Sequence, residues 1–325
     1  MGPTGQPSRS EPYSDHGLLQ VLSERFYRFV DPSDLSERTA ESLEESVADM
    51  RSWAARRLPG ETLIRATHDE QLGRTVIDIV TDDMPFLVDS VANQLSADGR
   101  MVHLLIHPQL AVERDDAGLL TQVIDADVAH APDALHESWM RIELERDYRD
   151  DDLQTLMGTL RRVLGDVRKA VADWVPMRTK ALETAAALRK NPPPGIPDAD
   201  IEEAVALLEW LAQDNMAFLG YREYDLIEID GEDALRPVAG SGLGILRLPE
   251  DLDDSVSLSF AVLPAAVRAK ARDRELLVLT KANSRSTVHR SAYLDYIGIK
   301  RFDADGTVIG EQRFLGLYAA SAYTH

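Results

Sequence analysis

Two adjacent carboxylates, Asp82 and Asp83, close a β-branched run (Val76, Ile77, Ile79, Val80) and stand just ahead of Pro85. A carboxylate followed by an early proline marks a helix start. Asp accepts from backbone N–H groups that the first turn leaves without partners, and Pro has no N–H to leave. Asp82, Asp83, Met84, Pro85, Phe86 and Leu87 make up this turn, the leading candidate site of the chain, with backbone N–H groups of a helix start beside it. The plainer reading is a helix start capped by Asp83, with Phe86 in the core. A second candidate is the dense basic patch Lys281, Arg285, His289 and Arg290, interleaved with Asn283, Ser284, Ser286 and Thr287. It suits an anion site or an interface with an acidic neighbour, or else it balances local carboxylates.

Other patterns carry less. Gly240-Ser241-Gly242-Leu243-Gly244 is glycine-rich enough for phosphate to approach the backbone. A dinucleotide fingerprint would need Gly at Ile245 and a following helix, and Leu248-Pro249 denies the helix. A tight turn between strands is the better reading. His103 and His107 lie in a strand pattern, where four residues at about 3.3 Å each separate them too far for one metal ion. Glu143 and Glu145 alternate with Arg141, which favours a solvated, salt-bridged strand face over a catalytic carboxylate pair.

The elements that must hold these residues follow from periodicity. Leu87, Val91 and Leu95 repeat at helical spacing up to Gly99, and residues 101–114 read as a returning strand. Residues 62–67 offer one extra strand beforehand. Residues 115–118 make a hairpin turn into residues 119–124. From Glu137 to Arg146 the pattern alternates, with Met140, Ile142 and Leu144 on the buried face and Arg141, Glu143 and Glu145 expected in solvent. Residues 150–174 form a long amphipathic helix. The order from Arg74 onward is β-α-β-β-α, a ferredoxin-like sheet with helices on one face. Before it, residues 16–29 and 34–57 read as helices, with Ser36 and Glu37 suited to capping the second. After it, Asn191-Pro192-Pro193-Pro194-Gly195 marks a linker and residues 200–213 a further helix. Strands are expected over 218–229, 243–248, 276–280, 296–302 and 312–318, the last two joined through the Asp305-Gly306 turn.

At the turn and its flanking strands the chain resembles an ACT-type regulatory domain. More specifically, TDDMPFLVDSV, ESWMRIELER, FLGYREY, GSGLGILR and VHRSAYLDYIGIKRFDADG together resemble the N-terminal region of the large bacterial NAD-specific glutamate dehydrogenases. The resemblance runs from about Phe26 to the C-terminus. It implies a regulatory or assembly region of a longer enzyme that oxidises glutamate, with water, to 2-oxoglutarate and ammonia while reducing NAD, with NAD held elsewhere and no cofactor in this chain. The expected fold class is α+β. Residues 1–16 are expected to be disordered, 17–60 a helical segment, 61–175 an ACT-like domain and 176–215 a helical linker. Residues 216–325 form a sheet-rich second domain that resembles a PAS-type sensor or a further ACT domain. In ligand-binding ACT turns the position of Phe86 is commonly Gly, so the ring would either line the pocket or block it.

Composition limits the alternatives. The net charge of −21 argues against nucleic acid or an anionic membrane as a partner. The chain has no cysteine, hence no disulfide framework, thiolate nucleophile or Cys-based metal site. Its start is polar rather than signal-like, and no apolar run reaches membrane-spanning length, which points to the cytoplasm. Three functions remain open: a regulatory module sensing an amino acid and contacting the catalytic part, a stand-alone enzyme using the acidic strand face or the basic patch, and a structural homo-oligomerisation module without a ligand.

Overall fold

The structure, a computed structural model, describes residues 15–229, 232–247 and 272–319. Of the stretch expected to be disordered, residues 1–14 lie outside them, as does the end of the strand expected over 243–248, whereas Asp15 and His16 already belong to the first helix. The chain divides into two compact units between Arg162 and Val163, and each carries a six-stranded antiparallel sheet.

The first unit opens with α1 (Asp15–Tyr27) and α2 (Ala40–Trp53). Helix α2 starts later than the periodicity suggests, because Thr39 rather than Ser36 or Glu37 forms a capping box with Ser42. Strands β1 (Leu63–Asp69) and β2 (Arg74–Asp82) pair as a hairpin, and α3 (Leu87–Ala97) follows. Gly99 ends α3 with φ +68. Its N–H donates to Ser96 O and that of Arg100 to Leu95 O, the two bonds of a Schellman motif. The returning strand expected over 101–114 is two strands, β3 (Val102–Ile106) and β4 (Gln109–Arg114). Pro108 parts them, since proline cannot donate to a ladder. β4 turns into β5 (Leu120–Val123), and β6 (Leu135–Leu144) returns to the centre. The order is β1-β2-β6-β4-β5, with β3 also on β6. β2 and β3, joined through α3, are therefore parallel with β6 between them, the split β-α-β of a ferredoxin-like sheet.

β6 corrects one expectation. Met140, Ile142 and Leu144 are buried together as the alternation requires, but the opposite face is not solvated. Trp139 belongs to a core with Leu22 and Phe26 of α1 and Val47 and Met50 of α2. Glu143, expected in solvent, is buried and paired with Arg38, with Arg74 3.9 Å away. The N-terminal helices cover the face that alternation alone assigns to water. Glu145 remains exposed.

Helix α4 (Asp150–Ala172) contains the boundary between the units. In the second unit, α5 (Trp174–Lys190) and α6 (Asp198–Trp210) lie in the region read as a linker. Met177, Ala181, Ala204 and Leu208 from these helices form one core with Phe218, Tyr221, Ile297 and Phe314 from the sheet. The sheet consists of β7 (Met216–Ile229), β8 (Glu232–Pro237), β9 (Leu243–Gly244), β10 (Leu277–Arg285), β11 (Tyr293–Phe302) and β12 (Val308–Tyr318). Its order is β10-β11-β12-β7-β8, with β9 on β7. The glycine-rich segment is the turn into β9. Gly244 sits at φ +60, where an added Cβ would lie 2.1 Å from Leu219 O. Asp173 accepts from the Gly244 N–H at 2.7 Å and from Arg247, fastening the turn.

Two substitutions in β6 test this two-sided burial. Ile142→Asp should prevent the first unit from folding, because an unpaired buried carboxylate costs several kcal/mol. Glu143→Ala should be costly as well. It strands Arg38, so urea denaturation should show a loss of about 3 kcal/mol.

Candidate functional site

The residues 82–87 lie together at the end of β2, as the sequence requires, but their roles differ from a simple cap. The Asp82 carboxylate accepts from the Gly60 N–H at 2.9 Å and lies 2.8 Å from an Arg57 nitrogen. Asp83 does not cap α3. Its N–H donates to His136 O at 2.9 Å, and its carboxylate accepts from Gln109 Nε2 at 2.8 Å and Ser138 Oγ at 2.9 Å. These bonds pin the turn to β4 and β6, and the helix start receives no side-chain cap. Met84 and exposed Pro85 belong to the connection, and Leu87 is the buried first residue of α3.

The helix is entered through Phe86, in the left-handed region at φ 72 and ψ 0, and no side chain caps it. That conformation costs a non-glycine residue about 1–2 kcal/mol. Ser90 holds it, donating to Phe86 O from its N–H at 3.0 Å and its hydroxyl at 2.6 Å. The ring is half-buried. Glycine would take this backbone without strain.

Beside the turn, His107 Nε2 lies 2.5 Å from Ser138 Oγ. The single Ser138 hydroxyl hydrogen serves Asp83, so the imidazole is the donor. Burial pushes the His107 pKa below its ordinary 6.5, with the Asp83 charge opposing. Asp, Ser and His meet here in the wrong order for acyl transfer. The serine stands between the other two and is fully buried, whereas a triad needs the histidine in the middle and a reachable hydroxyl.

Behind Asp82 lies a buried ionic cluster. Glu137, 0% exposed, accepts from Arg57 at 2.8 and 3.0 Å, Arg114 at 2.7 and 3.0 Å, and Trp139 Nε1 at 2.9 Å. Burial alone would raise the Glu137 pKa; Arg114, Arg57 and Trp139 together outweigh it and hold the carboxyl below its ordinary value. Arg57 reaches both Glu137 and Asp82, so the candidate turn is tied to this cluster directly.

In the second unit the basic patch is largely engaged internally. Lys281 pairs with Asp295 at 2.5 Å. Arg285 donates to Ser291 O and stacks on the Tyr293 ring at 4.8 Å. His289 is in the left-handed region at φ 67, and Arg290 donates to Tyr318 O at 2.7 Å. Of the other sequence candidates, Glu143 is buried against Arg38 whereas Glu145 is exposed, and His103 is exposed on β3 while His107 lies in the connection to β4. Among the described residues no three His, Cys, Asp or Glu side chains cluster as a metal site, and no helix is long and apolar enough to cross a membrane.

Sequence reading misses His107, Gln109, Ser138 and Glu137 as parts of this site. The alternation of β6 separates Ser138 from Glu137 and so carries a faint signal. Their partners depend on pairings such as Gln109 opposite Ser138, which only the folded sheet supplies.

Asp83→Ala removes the acceptor from a buried hydroxyl and an amide, and chemical denaturation should register a loss of about 2 kcal/mol. For His107 the depressed pKa means that the unfolded chain takes up a proton first. Its contribution to stability is therefore full above pH 6.5 and lost as pH falls through the folded value. Denaturation followed from about pH 8 to about pH 5 should show this slope in the wild type and a shallower one in His107→Gln.

Comparison with known proteins places the turn in a defined domain. Residues 22–160 match the model of the glutamate dehydrogenase ACT1 domain. The NAD-specific glutamate dehydrogenase of Halomonas elongata is 34% identical over 94% of this chain and 19% of its own length. That of Pseudomonas aeruginosa is 32% identical over 98% of the chain and 20% of its own. That of Mycobacterium tuberculosis is 26% identical over 76% and 14%. The chain therefore belongs with the NAD-specific glutamate dehydrogenases, as a stretch of about a fifth of the length of these first two relatives that carries their ACT1 domain.

Proposed function

We propose that this chain is a non-catalytic regulatory and assembly region of an NAD-specific glutamate dehydrogenase, and that the turn at residues 82–87 receives an amino-acid effector. The observation that carries this reading is Phe86. Within the matched ACT1 domain, a bulky residue holds the left-handed conformation at the entry to α3, where glycine would be unstrained. Strain of this kind persists where the surrounding structure over-determines it, and it concentrates at ligand clamps and switches. An effector carboxylate would lie at the start of α3, favoured by the helix dipole, with the Phe86 ring as a wall of the pocket.

Oxidation of glutamate with NAD belongs in this reading to the remainder of the longer enzyme, which the region would contact as a partner. Both sheets here are antiparallel, whereas dinucleotide-binding folds use parallel strands with G-x-G-x-x-G at a strand–helix turn. A PAS-type identity for the second unit is supported by its sheet, in which the first strand, β7, lies centrally beside the last, β12. Homo-oligomerisation and a cytoplasmic location are parts of the same proposal. A purely structural module without a ligand is the rival reading.

Calorimetry of wild type and Phe86→Gly with aspartate, leucine, serine and glutamate separates these. Glycine relieves about 1–2 kcal/mol of backbone strain and opens the helix start, so amino-acid binding should strengthen. Binding by the wild type that Phe86→Gly abolishes would make the ring an essential wall. No binding by either protein would leave only the structural module. The purified chain should show no glutamate-dependent reduction of NAD, and measurable turnover would overturn the regulatory reading.

A further inference from the structure

Arg222 lies on β7 and is 6% exposed. A guanidinium carries five N–H donors. Nη1 of Arg222 donates to Leu246 O at 2.9 Å, while Nε is enclosed and meets no acceptor. Among the described residues that carbonyl is the acceptor it has, and no carboxylate pairs with it.

Its neighbour across the sheet makes the deficit sharper. Arg222 stands directly opposite Arg313 of β12, and like charges in that position repel. Arg313 is compensated. Its nitrogens reach Glu311 Oε1 at 2.9 and 2.5 Å, and its guanidinium lies against the rings of Tyr224 at 4.1 Å and Tyr296 at 4.9 Å. Tyr296 OH donates to the same Glu311 oxygen at 2.5 Å. Among the described residues, two buried arginines thus share a sheet face with one buried carboxylate, Glu311, and it is committed to Arg313. Tyr221 and Phe314 belong to the helix-packed core, so strand alternation puts Arg222 and Arg313 on the other face.

We propose that the Nε–Nη2 edge of Arg222 is a binding site for a small oxyanion, a carboxylate or a phosphate-type group. A buried cation without a counter-charge is costly. The Nε–Nη2 edge is the planar fork that carboxylate and phosphate oxygens engage with two parallel hydrogen bonds. Leu246 O occupies the other side of the guanidinium and fixes the orientation of the fork. Burial pushes the Arg222 pKa down, in keeping with a charge that lacks compensation inside the chain.

The test is a thermal-shift and calorimetric titration of the whole chain with acetate, succinate and inorganic phosphate, against sodium chloride at equal ionic strength. At least one oxyanion should raise the Tm saturably beyond chloride. The carboxylate and phosphate arms identify the preferred chemistry. Arg222→Met should abolish the shift, with a ligand-free Tm equal to or above that of the wild type. Arg222→Lys, which keeps the charge but loses the fork, should bind at least about tenfold more weakly. A wild-type measurement stands independently of the variants: the Arg222 Nε–H resonance, assigned as the one missing from Arg222→Lys, should move downfield at saturation. The proposal falls if no oxyanion exceeds chloride, if Arg222→Met retains the shift, if its ligand-free Tm drops sharply, or if the Nε–H resonance stays in place.

Discussion

The first unit depends on one buried carboxylate. Glu137 has no contact with water and is surrounded by Arg57, Arg114 and the Trp139 indole. A charge so placed is tolerable only when every lone pair is used, and here each guanidinium also serves backbone carbonyls. Arg57 donates to Glu61 O and Leu58 O, and Arg114 to Ala54 O, Ala55 O and Gly118 O. The cluster thereby fastens the connection between α2 and β1, the β4–β5 hairpin and the start of β6 to a single point. Because Arg57 also meets Asp82, the position of the candidate turn is fixed by charge as well as by strand pairing.

The same cluster explains why the sequence was legible in some places and not in others. The apolar repeat of α3, the glycine that ends it and the Asp305-Gly306 hairpin turn are local signals, and local physics produces them. Ile142 is buried because its neighbours alternate. Glu143 follows the same alternation onto the opposite face, yet it is buried too, because α1 and α2 cover that face from far away in sequence. Alternation says which side of a sheet a residue takes. It does not say whether that side is wet.

The turn shows the same division. Its place between strand and helix, its acidity and its proline could be read directly. Asp83 looked like a cap because an Asp before a proline so often is one. Its actual partners, Gln109 and Ser138, come from strands whose register is a property of the folded sheet. Nor does any local rule predict a phenylalanine at φ 72. The glycine-rich segment was the opposite case: a turn was the simplest reading, and Gly244 has the positive φ and the close backbone approach that only glycine allows.

β10 bears on a different matter, the colloidal behaviour of the protein. Among the described residues it is one of the two outer strands of the second sheet, and Leu279 on it is half exposed. An outer strand offers its unpaired backbone to any other chain that comes alongside, which is the usual start of aggregation. Lys281 and Arg285 put cations on this rim, and the pairing register shifts between them, so the edge is both charged and irregular. The basic residues that suggest a ligand site from sequence therefore also act as gatekeepers, keeping the sheet from growing beyond its own chain.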